Sequence, residues 1–380
     1  MANPSPNAAL IGVPASRAAL ATPALVLDLD AVERNIAVHA QAVRAAGFAC
    51  RPHGKTHKAP AIARMQIAAG AVGICCATVK EAAAFVEAGI EGVLLTTPVV
   101  SPAKIARLAA LAQASGGALS VVVDSPLAVT RLADAARAAG TVIPVLVDLD
   151  IGPGRTGVRG AEAAAALVAA IRDSGTLSYR GVQAYSGLIQ HIAGYADRAA
   201  AYRPQLAVLD AVLAHLTRAG MAPDIVSGGG TGSFAIDAEA GLFTEHQAGS
   251  YCVMDVEYAD IEMLPDRANP FEHALFVATT VISANGSGHV TTDAGIKAFA
   301  MDGPPPRFAG PKGGVPGYAI AGDEHGAILC DEAEHRFPLG ATAELVVPHC
   351  DPTVNLYDHY HCVRGDRLVD IWPIDARGSN

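Results

Sequence analysis

The sequence predicts an α/β protein, a (β/α)8 TIM-type barrel followed by a C-terminal antiparallel β domain. Three observations lead there. From residue 24 to about 252, short β-branched runs alternate with Ala/Leu-rich amphipathic stretches. After about residue 265 the helical pattern stops and short strands separated by Gly, Pro and Asp take over. At 380 residues the chain also exceeds what one ordinary core holds.

The strand candidates follow in order: ALVLDL at 24–29, a segment ending near His53, VGICCAT at 72–78, VLLTT at 93–97 and LSVVVD at 119–124. IPVLVDLD at 143–150, GVQAYS at 181–186, DIVSGG at 224–229 and HQAGSY at 246–251 complete them. Runs apolar at nearly every position suit parallel strands buried on both faces. Between them, Ser101-Pro102 and Ser125-Pro126 each set an N-cap residue before a proline at the first helical position. Ile105, Leu108 and Leu111 mark one apolar helix face. Nine strands with about eight helices leave one strand over, and the first is the candidate to pair with a second domain. ALFVATTVIS, AELVVPHC and HYHCVRGDRLVDIWP read as strands of the β domain, and no repeat recurs at a fixed period.

Composition narrows the function. With 27 basic against 37 acidic residues, a nucleic-acid partner is not expected. The first twenty residues carry Pro4, Pro6 and Pro14 but no basic start leading into an apolar run, so neither a secretory signal nor a membrane span is expected. Seven cysteines, two of them adjacent and none in a CxxC pair, argue against a disulfide framework or zinc knuckle and for a reducing cytoplasm.

Four clusters could do chemistry. RPHGKTHK, at 51–58, is the densest polar segment at the end of a predicted buried strand, where barrels place catalytic groups. Apolar walls around Lys55 would lower its amine pKa and make it a Schiff-base nucleophile, with His53 and His57 on the same face of an extended segment; a solvated basic loop is the bland reading. The glycines of Ser227–Ser233 (SGGGTGS) would let backbone amides approach a phosphate, Thr231 adds a hydroxyl, and Gly249, Ser250 and Tyr251 could supply further donors. The alternative is a flexible turn. GPGRTG at 152–157 matches GxGxxG, but the next helix is delayed to about Ala161, so a nucleotide site is disfavoured; a turn that pushes Arg155 toward an anionic oxygen fits better. His349-Cys350-Asp351, read as extended, points His349 and Asp351 together and Cys350 away, a pair suited to Mn²⁺ or Mg²⁺ or to a hydrogen-bonded turn. Asp358, His359 and His361 read as strand-surface residues, and Asp323-Glu324-His325-Gly326 as a polar loop that could lie near the site.

TPALVLDLDAVERN, RPHGKTHK, GICC, GRTGV, GVQAYSG, SGGGTGS, QAGSY, DAGIKA, DEHG, HCDPT and WPIDARG occur in order from residue 22 to 378. Together they resemble the D-threonine aldolase family, including D-3-hydroxyaspartate aldolases, within the alanine-racemase-like fold type of pyridoxal-phosphate enzymes. The resemblance implies Lys55 as the Schiff-base lysine, Arg155 at the cofactor's phenolic oxygen, Tyr185 near the ring and Gln247 toward the pyridine nitrogen. It implies Gly229, Gly230, Thr231, Gly249 and Ser250 at the phosphate, His349 and Asp351 as metal ligands, and His191 near the substrate hydroxyl. It also sends the first strand to the β domain, giving a barrel over 30–262 and a β domain of 1–29 and 263–380 that carries the metal site. A homodimer is the expected assembly. One position departs: after GICC stands Ala77, where the family carries a polar residue, which opens the question of substrate contacts in that loop.

The activity this implies is retro-aldol cleavage of a D-β-hydroxy-α-amino acid to glycine and an aldehyde, with His191 or a metal-bound water as base. A neutral Gln247 at the ring nitrogen would leave the pyridine less protonated and temper the electron sink. Three alternatives stand beside it. A D-hydroxyamino-acid dehydratase would be expected to use zinc with Cys at the second ligand position. A racemase needs two bases on opposite faces of the ring and no metal. A non-catalytic pyridoxal-phosphate carrier would need only the barrel.

Overall fold

A computed structural model describes residues 5–265, 269–309 and 316–378. Strand β1 (Ala24–Asp28) runs straight into helix α1 (Leu29–Ala45), whose N-cap Asp28 accepts the Ala31 N–H at 3.1 Å. Then follow β2 (Ala49–Cys50), α2 (Pro60–Ala68), β3 (Ile74–Cys76), α3 (Val79–Glu87), β4 (Val93–Leu95) and α4 (Pro102–Ala114). The series continues through β5 (Leu119–Val123), α5 (Pro126–Ala138), β6 (Ile143–Leu149), α6 (Ala161–Asp173), β7 (Leu177–Ala184) and α7 (Tyr195–Arg218). It ends with β8 (Ile225–Gly228), α8 (Phe234–Ala240), β9 (Glu245–His246) and a short α9 (Val256–Ala259). Helix α6 opens at Ala161, as the delayed start after GPGRTG predicts. Ser125 caps α5 with its side chain, whereas Ser101 takes the extended cap conformation without a side-chain bond.

Strands β2 to β9 form one parallel sheet in the order β2-β9-β8-β7-β6-β5-β4-β3. The two ends meet through a bridge between His53 and Cys75, with the Cys75 N–H donating to Pro52 O and the Gly54 N–H to Cys75 O. The seam that closes the barrel is therefore the start of the Lys55 segment. Beside it Gly73 has φ +154°, and a Cβ there would stand 2.0 Å from Gly92 O, so only glycine permits this approach. Val, Leu, Ile and Ala side chains fill the space between strands and helices.

The surplus strand resolves cleanly. β1 leaves the barrel to pair antiparallel with β10 (Leu275–Ser283) and parallel with β15 (His359–Arg364). The second sheet adds β11 (His289–Thr292), β12 (Gly317–Ile320), β13 (Gly326–Leu329), β14 (Thr342–Val346) and β16 (Arg367–Pro373), with a one-turn α10 (Ala333–Arg336) and α11 (Cys350–Val354) between strands. It has its own core, which includes Leu25, Leu27, Val277 and Tyr360.

Two expected strands end early. HQAGSY is extended only at His246, the end of β9, and then turns into a 3-10 segment at Ser250–Cys252. The strand ending near His53 is regular only at Ala49–Cys50. The two segments press on each other: a Cβ on Gly249 would meet Thr56 Oγ1 at 2.5 Å and His53 O at 2.9 Å. Among the strand-surface expectations, Asp358 is exposed and pairs with Arg377, but His361 is buried. The Ser5–Asn7 segment covers its Nε2, which meets Ser5 Oγ at 3.0 Å and Asn7 Nδ2 at 3.0 Å.

Candidate active site

A cavity of about 270 Å³ opens where the barrel strands end, and Lys55, Arg155, Tyr185, Gln247, Gly229–Thr231 and Gly249–Ser250 all contribute to its wall. Lys55 does not sit among apolar groups, as the sequence reading expects. Its Nζ lies 2.6 Å from Asp351 Oδ1, and that carboxylate raises the amine above its ordinary value rather than lowering it. Burial pushes the Asp351 carboxyl up, but the ammonium groups of Lys55 and Lys58 and the His349 ring outweigh it and hold Asp351 below the usual range. The two histidines of RPHGKTHK are buried neutral groups: desolvation takes His57 down to about 4 and His53 well below its usual value. His53 accepts the Lys55 N–H at Nδ1 and thereby shapes the turn that presents the lysine.

The glycine-rich loop reaches the cavity on bare backbone. The N–H groups of Thr231, Gly249 and Ser250 donate to no described residue, so three amides are free to face an anion, as a phosphate requires. Gly230 has a second reason to be glycine, because its Cβ would stand 2.6 Å from Gln190 Oε1. Gln190 is buried and ties two loops together. It accepts the Gly232 N–H at 3.0 Å and donates to Ser186 O and Ser233 Oγ, each at 3.1 Å. The next residue is His191, and the fully buried Arg198 holds that loop by donating to the carbonyls of Ile192, Ala193 and Glu262. His191 Nδ1 lies 3.2 Å from Glu257 Oε1, and burial lowers its pKa, which leaves a neutral imidazole at neutral pH.

GPGRTG is not a phosphate loop. The Gly152 and Gly154 amides are spent on Asp150 Oδ1 at 3.0 and 2.9 Å. The turn instead lays the Arg155 guanidinium over the Tyr185 ring, 5.2 Å from its centroid, at the cavity wall. Tyr251 departs from expectation. Its side chain stacks on His39 and its hydroxyl accepts from Gln66, so only its backbone N–H, on Thr231 Oγ1, faces the loop. Asp323 and Glu324 engage Lys297 at the surface, and that loop does not line the cavity.

His349 and Asp351 come together by a route other than the extended one. His349 is the N-cap of α11, and Asp351 lies in its first turn. Their facing atoms, His349 Nε2 and Asp351 Oδ2, are 3.7 Å apart. Cys350 points the other way, buried, with its N–H on Asp255 Oδ2 and its thiol on Met254 O. Sequence reasoning missed Asp302, 47 residues upstream, whose Oδ2 meets His349 Nδ1 at 2.8 Å. That contact orients the ring and leaves Nε2 as the free ligand atom, the usual support for a metal-binding histidine. Burial pulls the His349 pKa down, but Asp351 and Asp302 push it up further. Buried Asp351 Oδ1 meets the Lys55 ammonium at 2.6 Å, so a cation at this carboxylate would take the place of the lysine's charge. Among the described residues no three His, Cys, Asp or Glu gather around one point. A cation here would therefore rest on two side chains and complete its shell from outside the chain, as Mg²⁺ and Mn²⁺ commonly do.

A lysine and an amide cradle over a parallel barrel, with a second β domain beside them, define the alanine-racemase-like class. A family profile described as "Alanine racemase, N-terminal domain" matches residues 27–256, and one described as "Putative serine dehydratase domain" matches 274–363. A D-threonine aldolase of Arthrobacter sp. is 42% identical over 94% of this chain and 93% of its own. A 3-hydroxy-D-aspartate aldolase of Paracoccus denitrificans (strain Pd 1222) is 37% identical over 94% and 92%. The crystal structure of a D-threonine aldolase from Filomicrobium marinum superposes with a TM-score of 0.89 at 39% identity, covering 95% of this chain and 96% of that one. A D-threo-3-hydroxyaspartate dehydratase of Delftia sp. is 31% identical over 93% and 97%. The chain belongs to the alanine-racemase-like family that contains the D-threonine and 3-hydroxy-D-aspartate aldolases, carbon–carbon lyases.

Proposed function

We propose that this chain is an aldolase dependent on pyridoxal 5′-phosphate and a divalent metal, Mn²⁺ or Mg²⁺, that cleaves D-β-hydroxy-α-amino acids to glycine and an aldehyde. The observation that carries the reading is the placement of the His349–Asp351 pair against the Lys55 amine, with Cys350 turned into the core. A dehydratase of this fold would be expected to offer a thiolate to zinc; here the ligand atoms are an imidazole nitrogen and a carboxylate oxygen, which suit harder cations. The barrel, 30–262, would bind the cofactor, and the β domain, 1–29 and 263–380, would supply the metal ligands.

Lys55 would hold the cofactor covalently, Thr231, Gly249 and Ser250 its phosphate through free amides, and Arg155 its phenolic oxygen. When bound, the cofactor supplies the electron sink for the pair left as Cα–Cβ breaks, and the metal acidifies the β-hydroxyl. His191, neutral and with its Nδ1 3.2 Å from Glu257 Oε1, would take the hydroxyl proton. No described helix is long and apolar enough to cross a membrane, and the seven cysteines are free; we place the enzyme in the cytoplasm as a homodimer.

The test is direct. Purified protein should be yellow, borohydride should bleach it and fix the cofactor to the Lys55 peptide, and Lys55→Ala should be inactive. Chelator should abolish glycine release from D-threonine, D-phenylserine or D-3-hydroxyaspartate without removing the colour, Mn²⁺ or Mg²⁺ should restore it, and the L-isomers should be inert. Ammonia and a keto acid as main products, or full activity in chelator, would overturn the proposal.

A further inference from the structure

Five residues of the cavity wall, His53, Thr96, Thr156, Gln183 and Gln247, have their side-chain hydrogen-bond donors committed inward. Thr96 donates its hydroxyl to Cys76 O and accepts from His53 Nε2 at 3.1 Å, while His53 Nδ1 already accepts the Lys55 amide. Thr156 donates to Asp148 Oδ2 at 2.7 Å. Gln183 spends both amide hydrogens, on Asp148 Oδ1 at 2.8 Å and Thr96 O at 3.0 Å. Its remaining carbonyl must accept, which it does from Gln247 Nε2 at 3.2 Å. The second hydrogen on Gln247 Nε2 goes to Ser227 Oγ at 2.8 Å, because the Ser227 hydroxyl itself donates to Glu245 Oε1 at 2.6 Å.

While Asp148 is ionised, the direction of every bond in this chain is forced from both ends by groups that can only accept. Thr96 O and Asp148 fix Gln183 at one end; Glu245, locked to Arg51 by two bonds of 2.9 Å, fixes Ser227 at the other. Gln247 cannot flip its amide without setting its carbonyl against the carbonyl of Gln183. Its Oε1 is thus the group it offers to the cavity, and that oxygen accepts from no described residue. Gln247 is largely buried and its Oε1 opens on the cavity, so a bound ring that excludes water there would leave this acceptor unfilled unless it brings a donor.

We propose that Gln247 Oε1 accepts a hydrogen bond from the protonated ring nitrogen of the bound pyridoxal 5′-phosphate, so that the site holds the pyridine as N–H. An unprotonated ring nitrogen would set a lone pair against a surface with no free donor on His53, Thr96, Thr156, Gln183 or Gln247, leaving two buried acceptors unsatisfied. This inference rests on the cofactor assignment above and reverses the sequence-based expectation that a neutral glutamine leaves the ring less protonated. Polarity decides the matter here: a glutamine that presents its N–H favours the bare nitrogen, and one that presents its carbonyl favours the pyridinium. A protonated ring is the stronger sink for the electron pair of a cleaved C–C bond.

The experiment uses holoenzyme reconstituted with pyridoxal 5′-phosphate labelled with ¹⁵N in the ring. The wild type should give a pyridinium-type ¹⁵N resonance that does not titrate across neutral pH. Gln247→Met, of similar length and without an acceptor, should shift the resonance toward unprotonated pyridine and restore titration, while borohydride still fixes the cofactor on Lys55. A merely structural loss would weaken retention without moving the resonance. An unprotonated resonance in the wild type, or an unchanged pyridinium resonance in Gln247→Met, overturns this inference while leaving the aldolase reading intact. Failure to form any Lys55 adduct overturns both.

Discussion

Gly230→Ala tests how the amide cradle is held. The added Cβ would stand 2.6 Å from Gln190 Oε1 and 2.8 Å from its Cδ, and Gln190 is buried with its amide in three hydrogen bonds. It cannot swing aside without losing them. At about 1 kcal/mol net per bond the substitution should cost about 3 kcal/mol. Gly230 does not occupy the left-handed region, so backbone strain adds nothing. Gln190→Ala loses the same three bonds and clears the space the new methyl needs. The double variant should therefore cost about 3 kcal/mol rather than the ~6 kcal/mol of a sum, a coupling of about 3 kcal/mol. Urea melts of the four proteins read this directly, and a fluorescence titration with pyridoxal 5′-phosphate reads the cradle. Because the Cβ points at Gln190 and not into the cavity, cofactor affinity should fall with stability in Gly230→Ala. The sequence reading, in which the glycine only admits the phosphate, expects affinity to fall first. Additive costs in the cycle, or a Gly230→Ala protein as stable as the wild type, would refute the reasoning.

Three further outcomes follow from the same geometry. Burial raises the Asp148 carboxyl to about 6, above its unfolded value of 3.8, so its contribution to stability is present below about pH 4 and lost as pH rises through about 6. Asp148→Asn removes that titration, and between pH 4 and 7 its stability relative to wild type should rise by up to ~3 kcal/mol; a parallel pH profile in melts would contradict this. Asp302→Asn keeps the size of the group that meets His349 Nδ1 but not its charge, and should weaken Mn²⁺ binding about 10- to 100-fold by calorimetry, with the visible spectrum unchanged. Cys350→Ala should retain most activity with Mn²⁺, whereas Asp351→Ala should behave like the chelated enzyme; a reversed order would return the thiol to the metal site.

The barrel was legible because burial on both faces writes itself as uninterrupted apolar runs, and because Ser-Pro pairs punctuate the helices. What the runs could not show is where a strand stops when another segment crowds it. The ends of HQAGSY and of the strand before His53 are set by the approach of Gly249 to Thr56, a contact between residues 193 positions apart. The site was legible where chemistry is concentrated in sequence, as in RPHGKTHK and SGGGTGS, and opaque where it is assembled across the chain. Nothing local to Lys55 announces that Asp351 will raise its pKa; that follows only once α11 is packed against the barrel seam. The ambient state of the lysine thus depends on a residue proposed to bind metal. While Asp351 is paired with an ammonium it cannot be fully available to a cation, and while the ammonium persists Lys55 is a poor nucleophile. Covalent attachment at Lys55 and cation binding at Asp351 each remove the partner that opposes the other, so the two sites should fill cooperatively, a coupling that neither motif carries alone.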